Sequence, residues 1–454
     1  MDRPLEVGTQ DIRAAAVAPI LQPGPMFWPL ALFLSLVVLA GAVAMFQQLM
    51  FGLGVTGLNN EVSWGFYITD MVFFIGLSYG GAVTSAMLRL TNAPWRAPLV
   101  RLAEATAFVT LLIGSLFPII DLGRPDRMMN LLLHGQVGSP VLWDVVAVNT
   151  YMVATVIFLF LPLIPDMAFC RDHLGSAAGH LRKLLFDRLS LGWRGTPGEK
   201  NILERNMTLV AIVIIPLAVS VHSVLAWLFG MTVRPGWNST IYAPYFVVGA
   251  LFSGVAAVII IVAAFRKAYH LEAFITEQHF KYLANMLLAL GMGYGYFLFA
   301  EVLTEGYKME GMSMGEGSGP LLEELMLGRY APLFWGFVAG GLAIPLALVS
   351  LPPTRNVSGI VAASCLIVVA MWLKRFLIVV PSMATPMMPI GWGAYWPSRV
   401  EVAITLAAVA AVPLLLMLFF RIFPILSIYE MEEIAEHEES EQEPAPEAAG
   451  VAAW

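Results

Sequence analysis

An all-α polytopic membrane protein of about ten transmembrane helices is the fold class this chain predicts, and three observations carry it. There are ten apolar runs long enough to cross a bilayer, the composition is 59% hydrophobic and only 13% charged, and basic residues collect in alternate connections. A helix of about 20 residues, rising about 1.5 Å per residue, matches a hydrocarbon core of about 30 Å. In lipid, backbone polar groups must be satisfied within the segment, and these runs are far longer than barrel strands, so a closed barrel is excluded.

The runs lie near 27–51, 63–88, 102–120, 141–165, 207–230, 243–265, 282–303, 331–351, 358–380 and 400–425. No basic region, apolar core and cleavage site in signal-peptide order precede Phe27, so the first run is expected to act as its own insertion signal. The second opens with Trp64, Tyr67 and Asp70, and its Gly76 and Gly80 stand four apart, as do Gly291 and Gly295 on the seventh. Small residues at that spacing let helices approach closely. The third carries Glu104 below Thr106 and Thr110 and ends at Asp121, and the fourth begins with Trp143 and Asp144, with Asn149 a little deeper. The loop 166–206 holds LRKLLFDRLSL, an amphipathic run suited to the membrane interface. His222 lies in the fifth run, Glu301 ends the seventh, and Lys374 and Arg375 sit near the outer end of the ninth. Trp64, Trp143, Trp237, Trp335, Trp392 and Trp396 fall at outer ends, where an interfacial belt is expected.

Orientation follows from the basic residues. With the N-terminus inside, 17 Lys and Arg fall in inner segments and 6 in outer ones, so both termini are expected in the cytoplasm. From Glu430 onward the chain holds nine Glu and no Lys or Arg; without them the formal charge of −7 becomes +2, and this end reads as a solvated, disordered tail. The two cysteines, Cys170 and Cys365, build no disulfide framework, zinc site or iron–sulfur cluster. Only His222 lies deep in a predicted helix, which leaves no facing pair for haem. A protein-ligated redox centre is therefore not expected, nor is a nucleic-acid partner.

The segment PIIDLGRPDRMMNLLLHGQVGSPVLWD places Asp121, Arg124, Asp126, Arg127, His134 and Asp144 between two long apolar runs. Tyr67 and Asp70, three apart, share a helix face. Asp70, Asp121 and Asp144 thus come from three helices to one depth. A carboxyl there is subject to burial and to Arg124 or Arg127 in opposite senses, which makes its protonation tunable. Beside Trp and Tyr, such an acid suits a planar ring with two oxygens that gain or lose protons, as in a quinone head group. Asp144 or Asp121 would serve as the base, with Trp64, Tyr67, Asp70, Arg124, Trp143 and Asn149 around the ring. The alternative is that Asp121 and Asp126 pair with Arg124 and Arg127 and pin the loop. His222, Glu301, Lys374, Arg375 and Glu104 are proton-path candidates as intramembrane ionisable groups. Glu301 is equally expected to pair with Lys374 or Arg375.

WGFYITDMVFFIGLSYGGAVTSAML from Trp64, DLGRPDR from Asp121, SPVLWD ending at Asp144 and LIPDMA from Leu163 resemble the NrfD/PsrC family of quinone-interacting membrane subunits, over roughly residues 60 to 400. ITEQHFKYLANMLLALGMGYGYFLFAE and MWLKRFLIVVPSM look most like its larger-loop member, the C subunit of alternative complex III. The resemblance implies two consecutive four-helix bundles with flanking helices. By this reading 1–26 is a cytoplasmic segment, 27–62 the first helix and outer loop, 63–230 the first bundle with the quinone site, 231–399 the second bundle, 400–429 the last helix and 430–454 the tail. It carries over Asp144 as a quinol-site acid and the position of Asp121, where that subfamily tends to have His. Tyr79 likewise stands where it often has His.

The function so implied is a quinol-binding subunit of a respiratory or photosynthetic oxidoreductase in a bacterial inner membrane, using menaquinone or ubiquinone. Its implied partners are a periplasmic iron–sulfur, molybdopterin-oxidoreductase-like subunit, a second NrfD-like membrane subunit and multihaem cytochromes c. The alternatives are an ion-translocating or structural anchor and a secondary transporter. A transporter predicts inverted repeats and broken helices at the midplane, which the sequence does not show.

Overall fold

Among the described residues ten helices are long and apolar enough to cross a membrane, and there is no strand. The computed structural model describes residues 9–174, 179–309, 319–387 and 391–434. A short helix, α1 (Thr9–Leu21), precedes the first span, α2 (Phe27–Phe51). The second span is α3 (Phe66–Leu90), and the third is α4 (Ala97–Gly114) continued after a break by α5 (Phe117–Asp121). The break falls just before Pro118, which lacks the N–H an unbroken helix needs. Then come α6 (Met128–Leu133), the fourth span α7 (Pro140–Phe160), and α8 (Leu163–Leu174) and α9 (His180–Leu189) in the loop.

The fifth span, α10 (Pro197–Gly230), starts ten residues earlier than its apolar run, because Thr196 and Glu199 form a capping box around Pro197. The sixth and seventh are α11 (Tyr242–Ala268) and α12 (Glu277–Met309), followed by α13 (Gly319–Met326). The eighth joins α14 (Ala331–Phe337) to α15 (Ile344–Ser350) through a π-helical turn, Val338–Ala343. Pro345, the second residue after that turn, cannot donate back into it, which accounts for the widened turn. The ninth is α16 (Val357–Ala384) and the tenth α17 (Arg399–Phe420), opened by a second capping box, Ser398 with Glu401.

The span α3 is the centre of the molecule: nearly every residue from Tyr67 to Ala86 is buried, and it packs on α4, α10, α11 and α16. Its glycines explain the closest approach. A Cβ on Gly80 would run into the backbone of Gly254 on α11, while Gly76 faces Ala250, so two small-xxx-small stripes meet. Gly291 is likewise closed in by Leu346 and Phe252, but Gly295 faces open space and meets no neighbouring helix among the described residues. The first and last spans, α2 and α17, pair with each other, and α17 also packs on α4.

Among the described residues the ten spans leave α1 and the segment after α17 on one face, where the two are fastened together. Ile425 donates its N–H to Ala16 (3.0 Å), and Arg13 pairs with Glu432 (2.6 Å). Glu430, the first residue of the acidic tail, is buried there between Arg89 (2.7 Å) and Arg96 (2.8 Å) rather than solvated; the expected disorder of 435–454 lies outside the described residues. Beneath it Arg101 pairs with Asp166 at 2.6 Å, both wholly buried. Burial pushes the Asp166 carboxyl up to about 6, against the pull of Arg101. Of the expected tryptophan belt, Trp143, Trp335 and Trp396 are exposed, whereas Trp237 is a buried plug whose indole donates to the Ile378 carbonyl (2.7 Å). The amphipathic run forms α9, with Phe186 buried and Leu181 and Leu184 exposed.

Candidate functional site

The face opposite the termini gathers buried polar groups from the ends of five spans. Gln48, in the last turn of α2, receives the Tyr67 hydroxyl at Oε1 (2.5 Å) and donates through Nε2 to the Ile120 carbonyl (2.8 Å). That holds α2, α3 and α5 together at Asp121, whose Oδ1 is shielded and has no hydrogen-bond partner. Glu401, in the first turn of α17, lies within electrostatic reach of both Tyr67 and Asp121. It accepts from Tyr395 (2.7 Å), Gly57 N–H (2.6 Å) and Ser398 N–H (2.8 Å), which fixes the loops around it.

Asp70 is wholly buried and turns toward the other side of α3. Trp372 Nε1 donates to its Oδ1 (2.7 Å) and Thr405 Oγ1 to its Oδ2 (2.6 Å), tying α3 to α16 and α17. Asp144, in the first turns of α7, is buried, and its Oδ1 has no hydrogen-bond partner. The other residues named around a ring are dispersed. Trp143 is exposed and donates to the Val137 carbonyl (2.7 Å), and Asn149 is exposed and donates to Val145 of its own helix (2.8 Å). Trp64 stacks on Trp237, with 5.8 Å between centroids, and meets Phe229 edge-on. Arg124 is exposed and pairs with Asp126 (3.0 Å), which holds that carboxyl below its ordinary range.

In the later spans the expected ion pair is present: Lys374 Nζ lies 3.1 Å from Glu301 Oε2. The ammonium also stands 5.4 Å from the Tyr245 ring and 5.8 Å from that of Phe337. Arg375 is not its rival for Glu301; it donates to the Met371 carbonyl (3.1 Å) and to Ser253 Oγ (3.3 Å). A cavity of about 40 Å³ adjoins the pair, lined by Glu301, Lys374, Tyr242 and Ser382. His222 is buried with its ring 4.6 Å from that of Tyr79. Glu104 belongs to the terminal face, where Ser85 donates to it (2.9 Å) beside Arg89, Arg96 and Glu430.

Chemically, the opposite face offers two carboxylates, Asp121 and Asp144, each with a shielded oxygen lacking a donor. A buried acceptor left unpaired costs about 1–3 kcal/mol, so a hydroxyl or N–H brought by a ligand would be stabilised there. Gln48, Trp372, Glu401 and Thr405 belong to this region and were not among the residues singled out from sequence. A polar residue within a charge-free apolar helix is the signal that would have marked Gln48. Among the described residues no three His, Cys, Asp or Glu side chains cluster as a metal-ligand set.

Comparison with known proteins places this architecture. The chain is 27% identical over 405 residues to a protein of Halobacterium salinarum, the candidate C-type membrane component of a dimethyl sulfoxide reductase, covering 83% of this chain and 86% of the relative. It is 28% identical over 367 residues to the C component of the selenate reductase of Mesobacillus selenatarsenatis, covering 78% and 82%. It is 23% identical over 343 residues to the Hdr-like menaquinol oxidoreductase integral membrane subunit of Archaeoglobus fulgidus, covering 74% of each. Residues 54–387 match the family described as polysulphide reductase, NrfD. That match takes in every span from α3 to α16, and the chain belongs to the NrfD family of polysulphide-reductase-type membrane subunits.

Proposed function

We propose that this chain is the quinone-interacting membrane subunit of a multi-subunit oxidoreductase, binding quinol at the face opposite its termini and delivering electrons to a molybdopterin-oxidoreductase-like, iron–sulfur partner. The single observation that carries the reading is the pair of carboxylates, Asp121 and Asp144, each with a shielded oxygen that no protein donor satisfies. Quinol supplies two hydroxyl donors and, when oxidised, a source of protons and electrons. Asp144 and Asp121 accept the hydroxyl protons, Tyr67 and Gln48 hold α2, α3 and α5 in place, and Glu401 keeps a second negative group near Asp121. The names of the relatives support the class: one is a menaquinol oxidoreductase integral membrane subunit and another a candidate reductase membrane subunit.

The orientation predicted by the basic residues puts this face in the periplasm of a bacterial inner membrane, with both termini cytoplasmic. The C subunit of alternative complex III is the assignment we propose within the family, which adds a second NrfD-like subunit and multihaem cytochromes c as partners. Identifying the proteins that co-purify with this chain checks that finer assignment, and recovery of a complex without cytochromes would remove it. The quinone reading is tested by extracting the purified complex and quantifying bound quinone. Wild type is expected to retain it, and Asp121→Asn with Asp144→Asn to lose most of it. Equal retention by both would locate binding elsewhere, and its absence from wild type under lipid-preserving purification would favour the ion-translocating anchor.

A further inference from the structure

The fourth and fifth spans, α7 and α10, pack on each other and carry polar groups on their outer sides. Asn149 and Thr150 are exposed at the middle of α7. Ser220 is exposed on α10, ten residues before Gly230, as Asn149 is nine after Pro140. The three therefore share one depth, roughly 14 Å in from the face opposite the termini, which is the middle of a hydrocarbon core of about 30 Å.

The two hydroxyls are spent within their own helices, Thr150 on the Val146 carbonyl (2.8 Å) and Ser220 on that of Pro216 (2.8 Å). Asn149 is only half satisfied. One carboxamide N–H goes to the Val145 carbonyl (2.8 Å), which leaves the second N–H and Oδ1 without a partner among the described residues. Pro216 adds a further group, because it lacks the N–H that would reach the Ile212 carbonyl, and both residues are exposed. Acyl chains satisfy none of these groups, and the hydrocarbon core holds no water to do so. By contrast α2, another span with most of its surface outward, exposes Leu36, Leu39 and Val43 across its middle. Beside Asn149 the exposed side chains are Val146, Val153 and Val156, whose single favoured rotamer gives a fixed ridge for a neighbouring helix.

We propose that a transmembrane helix of a second membrane chain packs on this side of α7 and α10, bringing a hydrogen-bonding side chain to Asn149 at the midplane. Between helices in lipid the attraction comes from close packing and interhelical hydrogen bonds, so a half-satisfied carboxamide at mid-depth is a contact point for protein. That the helix belongs to a different chain, and not to a second copy of this one, rests on the multi-subunit reading above.

The test is photocrosslinking in intact membranes from benzoylphenylalanine replacing Val153 on α7 or, as a control, Leu39 on α2, followed by peptide mapping. The expected result is an adduct from position 153 to a spanning segment of a different chain of the complex, with lipid adducts alone from position 39. Asn149→Leu should then lower the amount of that chain retained in mild detergent by about 3- to 10-fold, and Asn149→Gln should retain most of it. Leucine suits lipid better than asparagine does, so a loss caused by Asn149→Leu is not explained by misfolding of an α7 that faces acyl chains. Adducts from position 153 to lipid, to quinone or to a second copy of this chain would each overturn the proposal, as would retention unchanged in Asn149→Leu. Those outcomes leave the quinone reading standing, because bound quinone is measured separately. Recovery of this chain with no partner at all under lipid-preserving purification would overturn both this proposal and the multi-subunit reading.

Discussion

Lys374 is held between α12 and α16 by one carboxylate, Glu301, and two ring faces, and its side chain is only 7% exposed. Removing one partner of such a pair leaves the other buried and uncompensated, which costs about 3–5 kcal/mol, whereas removing both costs much less. Lys374→Met should therefore lower the thermal stability of the purified complex more than Lys374→Met with Glu301→Gln. Equal destabilisation by the single and double variants would show that the charge pair is not what orders this contact. The acidic residues of the opposite face were legible in the sequence because a carboxylate in an apolar run is conspicuous. Their partners were not. Asp70 is satisfied by Trp372 and Thr405, roughly three hundred positions away, and no local pattern announces that contact.

At the scale of helices, α3 and α11 approach through glycine, and the stripe makes a graded forecast. Gly80→Ala puts a methyl into the Gly254 backbone and should destabilise by about 1–3 kcal/mol through forced separation of the helices. Gly295→Ala meets nothing and should be neutral or stabilising by up to about 1 kcal/mol, since Ala is the better helix former. Thermal unfolding of the two variants side by side checks this, and a reversed order would mean the α3–α11 contact is looser than described. All ten spans were readable from apolar runs, because lipid demands them. Their ends were less so: the capping box at Thr196 carries α10 well below its apolar stretch, and Pro118 and Pro345 reshape spans whose hydropathy is uninterrupted. Trp237 was misread as a belt residue because sequence gives its place in a loop but not that the loop folds inward onto α16.

Across the whole molecule, buried polar groups divide between two faces. On the terminal face Arg89 and Arg96 pair with Glu430, Arg89 also with Glu204, and Arg101 with Asp166, which locks the start of the tail to the bundle. Glu430→Ala should lower the complex's unfolding temperature, because Arg96 loses its pairing carboxylate and Arg89 one of two. Deleting residues 435–454 keeps Glu430 and should leave that temperature within the range of a surface change, about 0.5 kcal/mol. If the deletion is as harmful as the substitution, the later tail carries the lock instead. On the opposite face Asp121 and Asp144 keep oxygens left unsatisfied by protein and form no ion pair among the described residues, and quinone chemistry is proposed there.

Steady-state turnover from quinol to the partner's acceptor tests that assignment most directly, comparing wild-type complex with Asp144→Asn after assembly is shown to be equal. An amide of the same shape cannot accept the quinol proton, so turnover should fall by about 10²-fold or more. Turnover unchanged in an intact complex would contradict the account, leaving Asp144 structural and the quinol proton with another group.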